Sequence, residues 1–341
     1  MPRMAAPQLV RRIALDVLQR TPTAEEVAQA APRAPIEVAQ RMLGTLEAME
    51  VWLEEELLYF LLLDNFRPTT PNVAALPRLL HERRTDVRAA QAEILLSTAF
   101  SLRNPGNDTF VTVVLEQCLG LEVQDRRNAA VLEAGKKAYD GYATRFLGGV
   151  GRSQADVVKL ALADRRSTRH LLDRHHRRLF GEPLPATQED AVDVVHASPG
   201  ELFTVLARWI GSERYADPAR PRRAMSDHQF ARSLWLDLLG RTPGYDELRM
   251  VRNALLAMAD PAPLRAVLAK ILLDSGRAKL PRLPPRERHA EFVHACFMTY
   301  LRRAPSAAET EAFVRELDAV QTPSAALVVR ALVTSEEYGT Y

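Results

Sequence analysis

Three histidines and three arginines share one short segment in the middle of the chain. They are His170, Arg174, His175, His176, Arg177 and Arg178. Two histidines hold a zinc ion from one helix when they are four residues apart. Here the relevant spacings are five residues and one residue, so no pair shares a helical face. We therefore predict an exposed basic face and no metal site, and contact with nucleic-acid phosphates stays open as an alternative.

Acidic residues and a histidine-containing dipeptide give two further candidates for chemistry. Glu54, Glu55 and Glu56 are consecutive, and consecutive residues on a helix point about 100° apart. They cannot converge on one cation, so we predict a solvated face. Asp227-His228 follows Ser226, but adjacent residues at a helix start also face apart. Helix capping accounts for them more simply than acid–base chemistry.

Glycines and cysteines complete the search for a reactive or ligand-binding site. Gly148-Gly149-Val150-Gly151 lacks the glycine spacing of a dinucleotide loop, so we predict a flexible turn with Ser153 as the next helix cap. Cys118 and Cys296 lie in apolar helical contexts, which predicts two buried thiols and no disulfide framework. The sequence therefore predicts no catalytic, cofactor-binding or metal-binding residue.

The composition indicates which kind of secondary structure would position any functional residues. The chain of 341 residues is 47% hydrophobic, has few glycines and carries a formal charge of +2. That charge is too small to draw the whole chain onto nucleic acid or an anionic membrane. Scarce β-branched runs predict an all-α fold. The start of the chain lacks the apolar core of a signal peptide, and the longest early apolar run, Leu57–Leu63, is too short to span a bilayer. We accordingly expect a cytoplasmic protein.

The segment Leu234–Pro243 organises the chain, because related versions of it recur. An apolar helix ends at a glycine, and a proline then prevents its continuation. The first copy, Gln19-Arg20-Thr21-Pro22, is followed by Thr23 and Glu26, which predict a capping box. Corresponding helix ends at Gly120, Gly181, Gly240 and Arg302 are 61, 59 and 62 residues apart. Closing serines at Ser212, Ser275 and Ser335 keep the same phase. The motifs Ser212-Glu-Arg-Tyr215 and Ser335-Glu-Glu-Tyr338 predict a tyrosine that folds back onto its unit.

This period predicts about five helical units of roughly 60 residues, arranged as a solenoid or as two to three lobes. The predicted units are 1–108 with an insertion, 109–168, 169–217, 226–278 and 288–341, with linkers at 217–223 and 281–286. Residues 36–66 have a helical pattern, and Pro68, Pro71 and Pro77 are expected to break the chain after it. Residues 110–121 contain four β-branched residues, but their length and their helical neighbours favour a helix over a strand.

Two families resemble parts of this sequence. Phe292, Tyr300-Leu-Arg-Arg-Ala-Pro305 and Leu332–Tyr338 resemble the phycobilisome-linker-like helical domain, which recurs in bacterial surface and secreted proteins. Arg11–Asp16, Arg20–Glu26 and Trp235–Pro243 are similar to helical domains attached to planctomycete-type cytochrome c proteins. The haem motif of those cytochromes is absent, so no haem is expected. Both resemblances imply a helical interaction fold.

Together these patterns favour a non-enzymatic scaffold or assembly subunit that binds a protein partner or a second copy of itself. Two alternatives remain. One is an enzyme, or an accessory subunit of one, whose site is assembled from distant residues. The other is nucleic-acid binding through arginine-rich helix faces near 165–178 and 218–223.

Overall fold

A computed structural model describes residues 4–62, 68 and 70–341 of the chain. It is 67% helical, and the described residues form nineteen α-helices and one two-stranded sheet. The prediction of an all-α fold is confirmed.

The helices pack into two compact units. Unit 1 combines the chain up to Met42 with Gly211–Tyr341, and unit 2 is Leu43–Ile210. This grouping follows packing and not the 60-residue period: the predicted stretches 1–108 and 169–217 each contribute to both units. The five-fold division of the sequence stays a prediction about repeats.

Unit 1 contains nine helices. They are α1 (Ala6–Leu18), α2 (Ala24–Ala30), α3 (Pro35–Leu43, whose last residue is counted with unit 2), α14 (Asp227–Leu239), α15 (Tyr245–Leu256), α16 (Ala262–Asp274), α17 (His289–Tyr300), α18 (Ala307–Ala319) and α19 (Ala325–Val333). A short 3₁₀ helix, Arg286–Arg288, precedes α17. Leu15 joins a core formed mainly by α14–α19, in which Phe230, Leu234, Phe297 and Val329 are buried. Helices more than 200 residues apart in sequence therefore share one apolar interior.

The repeated sequence motif forms the same turn three times in unit 1. The preceding helix ends in the left-handed region at Gln19, Gly240 and Arg302. An arginine one residue later donates two hydrogen bonds to a glutamate six residues further on, at 2.7–2.9 Å. The pairs are Arg20–Glu26, Arg241–Glu247 and Arg303–Glu309. Each glutamate also accepts the backbone N–H of the next helix's N-cap residue at 2.7 Å. One side-chain pair thus fixes both the helix end and the next helix start.

The N-caps of two helices are those that the sequence predicts. Thr23 and Glu26 form the predicted capping box at the start of α2. Ser226 forms another with Gln229 at the start of α14, so capping does account for the Ser226–His228 segment. The tyrosines of the two closing motifs, Tyr215 and Tyr338, are fully buried. Their hydroxyls donate to Asp16 and Asp237, so each tyrosine bonds a predicted repeat other than its own.

Unit 2 contains the remaining ten helices and the sheet. They are α4 (Leu46–Leu61), α5 (Pro71–His81), α6 (Val87–Leu95), α7 (Thr98–Arg103), α8 (Gly106–Leu119), α9 (Ala129–Tyr139), β1 (Thr144–Phe146), β2 (Gly149–Gly151), α10 (Gln154–Ala163), α11 (Arg165–Phe180), α12 (Glu189–Ala197) and α13 (Leu202–Ile210). Short 3₁₀ helices lie at Arg126–Asn128, Ala186–Gln188 and Pro199–Glu201. The segment 110–121 is helical in α8, as expected, and ends at Gly120 with φ +64°.

The glycine-rich segment forms a hairpin. Strands β1 and β2 are antiparallel, with Phe146 opposite Gly149, and Ser153 then caps α10 as predicted. An added Cβ at Gly149 would lie 2.4 Å from the Leu160 side chain, so the glycine permits close packing of the hairpin on α10. The predicted turn is therefore part of a sheet.

Two predictions about helix ends in unit 2 need comment. Pro77 does not break the chain, because it lies inside α5. Its ring is buried beside Val73, Leu76 and Leu80, and this burial offsets the missing backbone donor. The helical pattern over residues 36–66 divides into α3 and α4. Its last part, residues 63–66, lies outside the described residues.

Candidate functional site

An apolar groove on unit 1 is the main candidate for a binding site. Helices α16, α18 and α19 enclose a volume of about 550 Å³. The groove is lined by Ala266, Val267, Lys270, Phe313, Glu316, Leu327, Arg330, Ala331 and Thr334. Its floor is mostly aliphatic and aromatic, and its charged groups lie among that apolar surface. Pockets of this size and chemistry are typical of sites that take an apolar group or a helix face.

Helix α16 gives the groove its exposed apolar wall. Its inner face buries Ala269, Leu272 and Leu273 against the core of unit 1. On its outer face Val267 is 49% exposed and Ile271 is 57% exposed, one helical turn apart. An outward-facing aliphatic stripe gains nothing from water, so it marks a surface suited to a partner.

Helix α3 occupies in the first copy of the repeated motif the place that α16 occupies in a later copy. A comparison of the two helices shows that the fold does not require this apolar stripe. In α3, Ala39, Met42 and Leu43 are buried in the same order and spacing as Ala269, Leu272 and Leu273 in α16. The outer positions that correspond to Val267, Lys270 and Ile271 are occupied in α3 by Glu37, Gln40 and Arg41. All three of these are exposed. The copy that contains α3 therefore folds with a polar outer face at these positions, and α16 differs from it.

Exposed apolar side chains of unit 1 concentrate around this helix. Among its described residues, the exposed large hydrophobic side chains are Tyr245, Met250, Leu256, Met258, Val267, Ile271 and Val320. Six of these seven belong to α15, α16 and the loop between them. The rest of the unit follows the usual pattern of apolar inside and polar outside.

The most heavily hydrogen-bonded carboxylate of unit 1 is Asp16 on α1. Its side chain is 2% exposed and accepts the Tyr215 hydroxyl at 2.6 Å. Arg223 donates to both oxygens at 2.7 and 2.8 Å, and the Tyr341 hydroxyl donates at 3.1 Å. A carboxylate with every oxygen engaged has no lone pair directed at a substrate. Its arrangement holds segments together and does not favour acid–base chemistry.

Asp237 occupies the corresponding position on α14, with different partners. Its Oδ2 accepts the Tyr338 hydroxyl at 2.8 Å and the Thr21 hydroxyl at 3.2 Å. Both donors are neutral. Burial raises the pKa of Asp237 to about 6, against the opposing effect of Arg302 and the two hydroxyls. These hydrogen bonds give Asp237 a role beyond the end of its own helix.

In unit 2 the most notable polar cluster joins α4, α6 and α11. Glu56 has a side chain that is 2% exposed and accepts Arg174 at 2.8 Å and Gln91 at 2.8 Å. The Arg174 guanidinium lies 3.7 Å from the centre of the Tyr59 ring. The prediction of a solvated glutamate face is therefore wrong at Glu56, because α11 supplies a cation that stabilises the buried charge.

A tyrosine–histidine contact extends this cluster. The Tyr59 hydroxyl donates to the Gln117 carbonyl at 2.9 Å and lies 2.9 Å from His170 Nε2. Burial raises the pKa of Tyr59 to about 12 and lowers the pKa of His170. A hydroxyl that stays protonated and bonds a backbone carbonyl is not an activated nucleophile. The contact positions α4, α8 and α11.

The histidine-rich segment is helix α11, and its predicted exposed face is wrong for two histidines. His175 is 5% exposed and His176 is 2% exposed. The His176 ring packs on Phe180 and Trp209, with centroid distances of 4.7 and 5.3 Å, and its Nδ1 lies 2.8 Å from the Glu182 carbonyl. Burial lowers the pKa of His175 well below its ordinary value. Both rings are part of the core because α11 is packed on several sides.

The arginines of α11 are paired within unit 2. The pairs are Arg165 with Glu189 and Asp193, Arg166 with Asp164, Arg169 with Glu189, Arg174 with Glu56, Arg177 with Asp173, and Arg178 with Glu55. Their positive charge is balanced by neighbouring carboxylates, which reduces the field that would attract phosphates.

The remaining predictions concern thiols, metals and membranes. Cys118 and Cys296 are free and buried, as expected, and burial raises the pKa of each to about 12. Across residues 4–62, 68 and 70–341, no group of three His, Cys, Asp or Glu side chains is placed to hold a metal ion. In that same part of the chain, no helix is both long enough and apolar enough to cross a bilayer.

Comparison with known proteins adds no assignment: no protein-family model, curated protein or solved structure matches the chain.

Proposed function

We propose that this protein is a non-enzymatic helical scaffold that binds a helix of a partner protein in the groove between α16, α18 and α19. The observation that carries the proposal is the apolar outer face of α16, with Val267 and Ile271 about half exposed. The equivalent positions in α3 are polar, so a repeat of this kind folds without such a face.

The chemistry of the groove defines its ligand. Val267, Phe313 and Leu327 offer apolar contacts on three helices, while Glu316 and Arg330 add charges of opposite sign. An amphipathic helix with aliphatic residues three and four positions apart fits such a groove, with its polar flanks toward the two charges. The groove carries charges of both signs, and its third charged residue, Lys270, is paired with Asp274, which favours a protein ligand over a polyanion.

Two other features support this function over the alternatives. Both carboxylate oxygens of Asp16 accept hydrogen bonds, from Arg223 and from two tyrosines, and such full pairing is typical of a structural role. The arginines of α11 are neutralised by carboxylates, which favours protein binding over nucleic-acid binding.

The proposal is tested by placing one charge on the apolar outer face of α16, which borders the groove. We expect Ile271→Glu to leave the helical content unchanged and to weaken partner capture from the source cells at least tenfold, because a buried unpaired carboxylate is costly at an interface. Arg41→Glu is the matched control, since it puts the same residue at the equivalent position on α3. Quantitative affinity capture with wild type and both variants gives the comparison.

Only one pattern supports the proposal: a defined set of proteins retained by wild type and Arg41→Glu and lost with Ile271→Glu. Equal capture by all three proteins would refute the groove as the binding surface. Salt-sensitive capture of nucleic acid that Ile271→Glu does not change would favour the nucleic-acid alternative instead.

A further inference from the structure

The linker between α16 and α17 contains a proline-rich segment, residues 280–286, that does not line the groove. Its sequence is Leu-Pro-Arg-Leu-Pro-Pro-Arg, and the chain has neither helix nor strand from 277 to 285. A proline ring fixes its own φ at about −65° and directs the residue before it to an extended conformation. The prolines at 281, 284 and 285 therefore restrict the segment to polyproline II geometry, and Pro285 has φ −56° and ψ 159°.

The folded chain fixes this proline segment at both ends. Just before it, the Lys279 N–H donates to the Leu238 carbonyl at 2.7 Å. At its other end, the Arg288 N–H donates to the Pro285 carbonyl at 2.9 Å. A segment that is already ordered loses little conformational entropy when it binds, so the proline segment is preorganised as a ligand.

The edges of the proline segment differ in what they contact. Polyproline II has three residues per turn, so side chains three positions apart lie on one edge. Leu280 and Leu283 share an edge and pack against the core of unit 1. The exposed side chains of the other two edges are Pro281, Arg282 and Pro285. The segment therefore turns its leucines inward and presents proline rings and a guanidinium to a partner.

A second linker shows that proline spacing alone does not produce this arrangement. Linker 217–223 has the same pattern, Pro-x-x-Pro-x-Arg. Its first proline, Pro218, lies in a turn in which the Asp217 carboxylate accepts a backbone N–H at 2.8 Å. Its last arginine, Arg223, is paired with the buried Asp16. Of the two linkers, the proline segment is the one that combines the pattern with an exposed and extended backbone.

Exposed positive charge lies beside these prolines. Arg277, Lys279 and Arg282 are exposed, whereas the Arg286 side chain is bonded to Asp318 at 2.9 Å. Flat aromatic side chains offer apolar area to proline rings, and carboxylates form charge-assisted hydrogen bonds with arginine. A groove with aromatic walls and an acidic flank therefore matches this surface, whereas a polyanion would gain nothing from the prolines.

We propose that the proline segment docks a second protein, one whose groove is lined with aromatic side chains and flanked by carboxylates. The segment enters that groove as a preformed polyproline II helix, with Pro281 and Pro285 against the rings and Arg282 toward the acidic flank. This contact uses no residue of the groove between α16, α18 and α19, so it goes beyond the function proposed for that groove.

The first probe is an isolated SH3 domain of the class that binds Pro-x-x-Pro-x-Arg peptides, with the full chain as its ligand. Isothermal titration calorimetry should show one-to-one binding. Pro281→Ala with Pro285→Ala should weaken this binding about tenfold, because both the ring contacts and the rigid backbone are lost. The matched control, Pro218→Ala with Pro221→Ala, removes two prolines from the other linker and should bind like wild type. Arg282→Glu, at an exposed position, should also weaken binding about tenfold, and it gives the answer if the first double variant does not fold.

Affinity capture from the source cells then tests the natural partner. We expect a protein that is retained by wild type and by Ile271→Glu and is lost when Pro281 and Pro285 are both replaced by alanine. A peptide of residues 277–288 has no aromatic side chain, so its binding should change the fluorescence of the captured protein's own aromatic residues. No binding to the SH3 domain, equal binding by both double variants, or no change in that fluorescence would overturn the proposal. Salt-sensitive retention of nucleic acid alone would overturn it as well. Because Ile271→Glu alters the face beside the groove and leaves the proline segment intact, the outcome is independent of the proposed groove function.

Discussion

Replacement of Asp16 by asparagine should strongly destabilise unit 1. The side chain is 2% exposed and compensates the Arg223 guanidinium at 2.7 and 2.8 Å. Asparagine keeps one acceptor but puts an N–H group where the second oxygen receives a donor. Removal of one member of a buried ion pair typically costs about 3–5 kcal/mol, and we expect Asp16→Asn to lower the free energy of unfolding by that amount.

Asp237→Asn is the matched control, because it makes the same change at the equivalent position of α14. Here burial raises the pKa of the carboxyl to about 6, so the charged form that predominates at pH 7 is less stable in the folded chain than in the unfolded chain. A neutral amide accepts from Tyr338 and Thr21 without that charge. We expect this variant to be at least as stable as wild type at pH 7.

The assay follows unit 1 through a single tryptophan. The chain has three, and Trp52→Phe with Trp209→Phe leaves Trp235 on α14 as the only reporter. Urea unfolding of this background with Asp16→Asn or Asp237→Asn gives the two free-energy changes. A loss below about 1 kcal/mol for Asp16→Asn, or equal losses for both variants, would refute the distinction drawn between the two carboxylates.

Two further substitutions test the repeated turn and the buried glutamate. Gly240→Ala forces a Cβ into the left-handed region at φ +69° and should cost about 1 kcal/mol in urea unfolding, whereas Gly200→Ala, with open space around it, should cost nothing measurable. Glu56→Ala should cost about 3–5 kcal/mol in thermal or urea unfolding, because it leaves Arg174 without its carboxylate, while Glu54→Ala on the exposed face should stay within about 0.5 kcal/mol. Equal effects within either pair would contradict these assignments.

Local chemistry made the helix boundaries predictable. Thr23 and Ser226 are side chains that satisfy the N–H groups of a first helical turn, and both form the expected caps. Gly240 ends its helix because it adopts a left-handed conformation at little cost. These features depend on residues within one turn of each other, so a single sequence contains the whole argument.

Burial of polar groups was less predictable, because it depends on distant partners. By the angular argument, Glu54, Glu55 and Glu56 point to three different sides of their helix. It also implies that one of the three must face a different environment from the others. In this fold that residue is Glu56, whose partner Arg174 lies 118 residues away. Nothing local to residues 54–56 identifies that partner.

The grouping of the helices into two units could not be predicted from a repeat period in the sequence either. Arg11 donates to the Tyr338 carbonyl across 327 residues, and Arg12 donates to the Tyr215 carbonyl across 203. A repeat read along the chain places such residues in different units, since it orders segments by sequence and not by contact. The Arg–Glu pair of each turn was detectable, because both residues recur at a fixed spacing of six.

The repeats are most informative where equivalent positions differ. A residue shared by several copies, such as the proline after the helix ends at Gln19, Gly181, Gly240 and Arg302, is explained by the backbone it permits. Where one copy has a different residue or partner from another, the fold does not require that difference. Ile271 of α16 stands where α3 has the exposed Arg41, and Asp237 lacks the paired cation that Asp16 has. Both departures lie in the repeat built from α14, α15 and α16. The groove function that we propose rests on one of these departures, the half-exposed apolar outer face of α16.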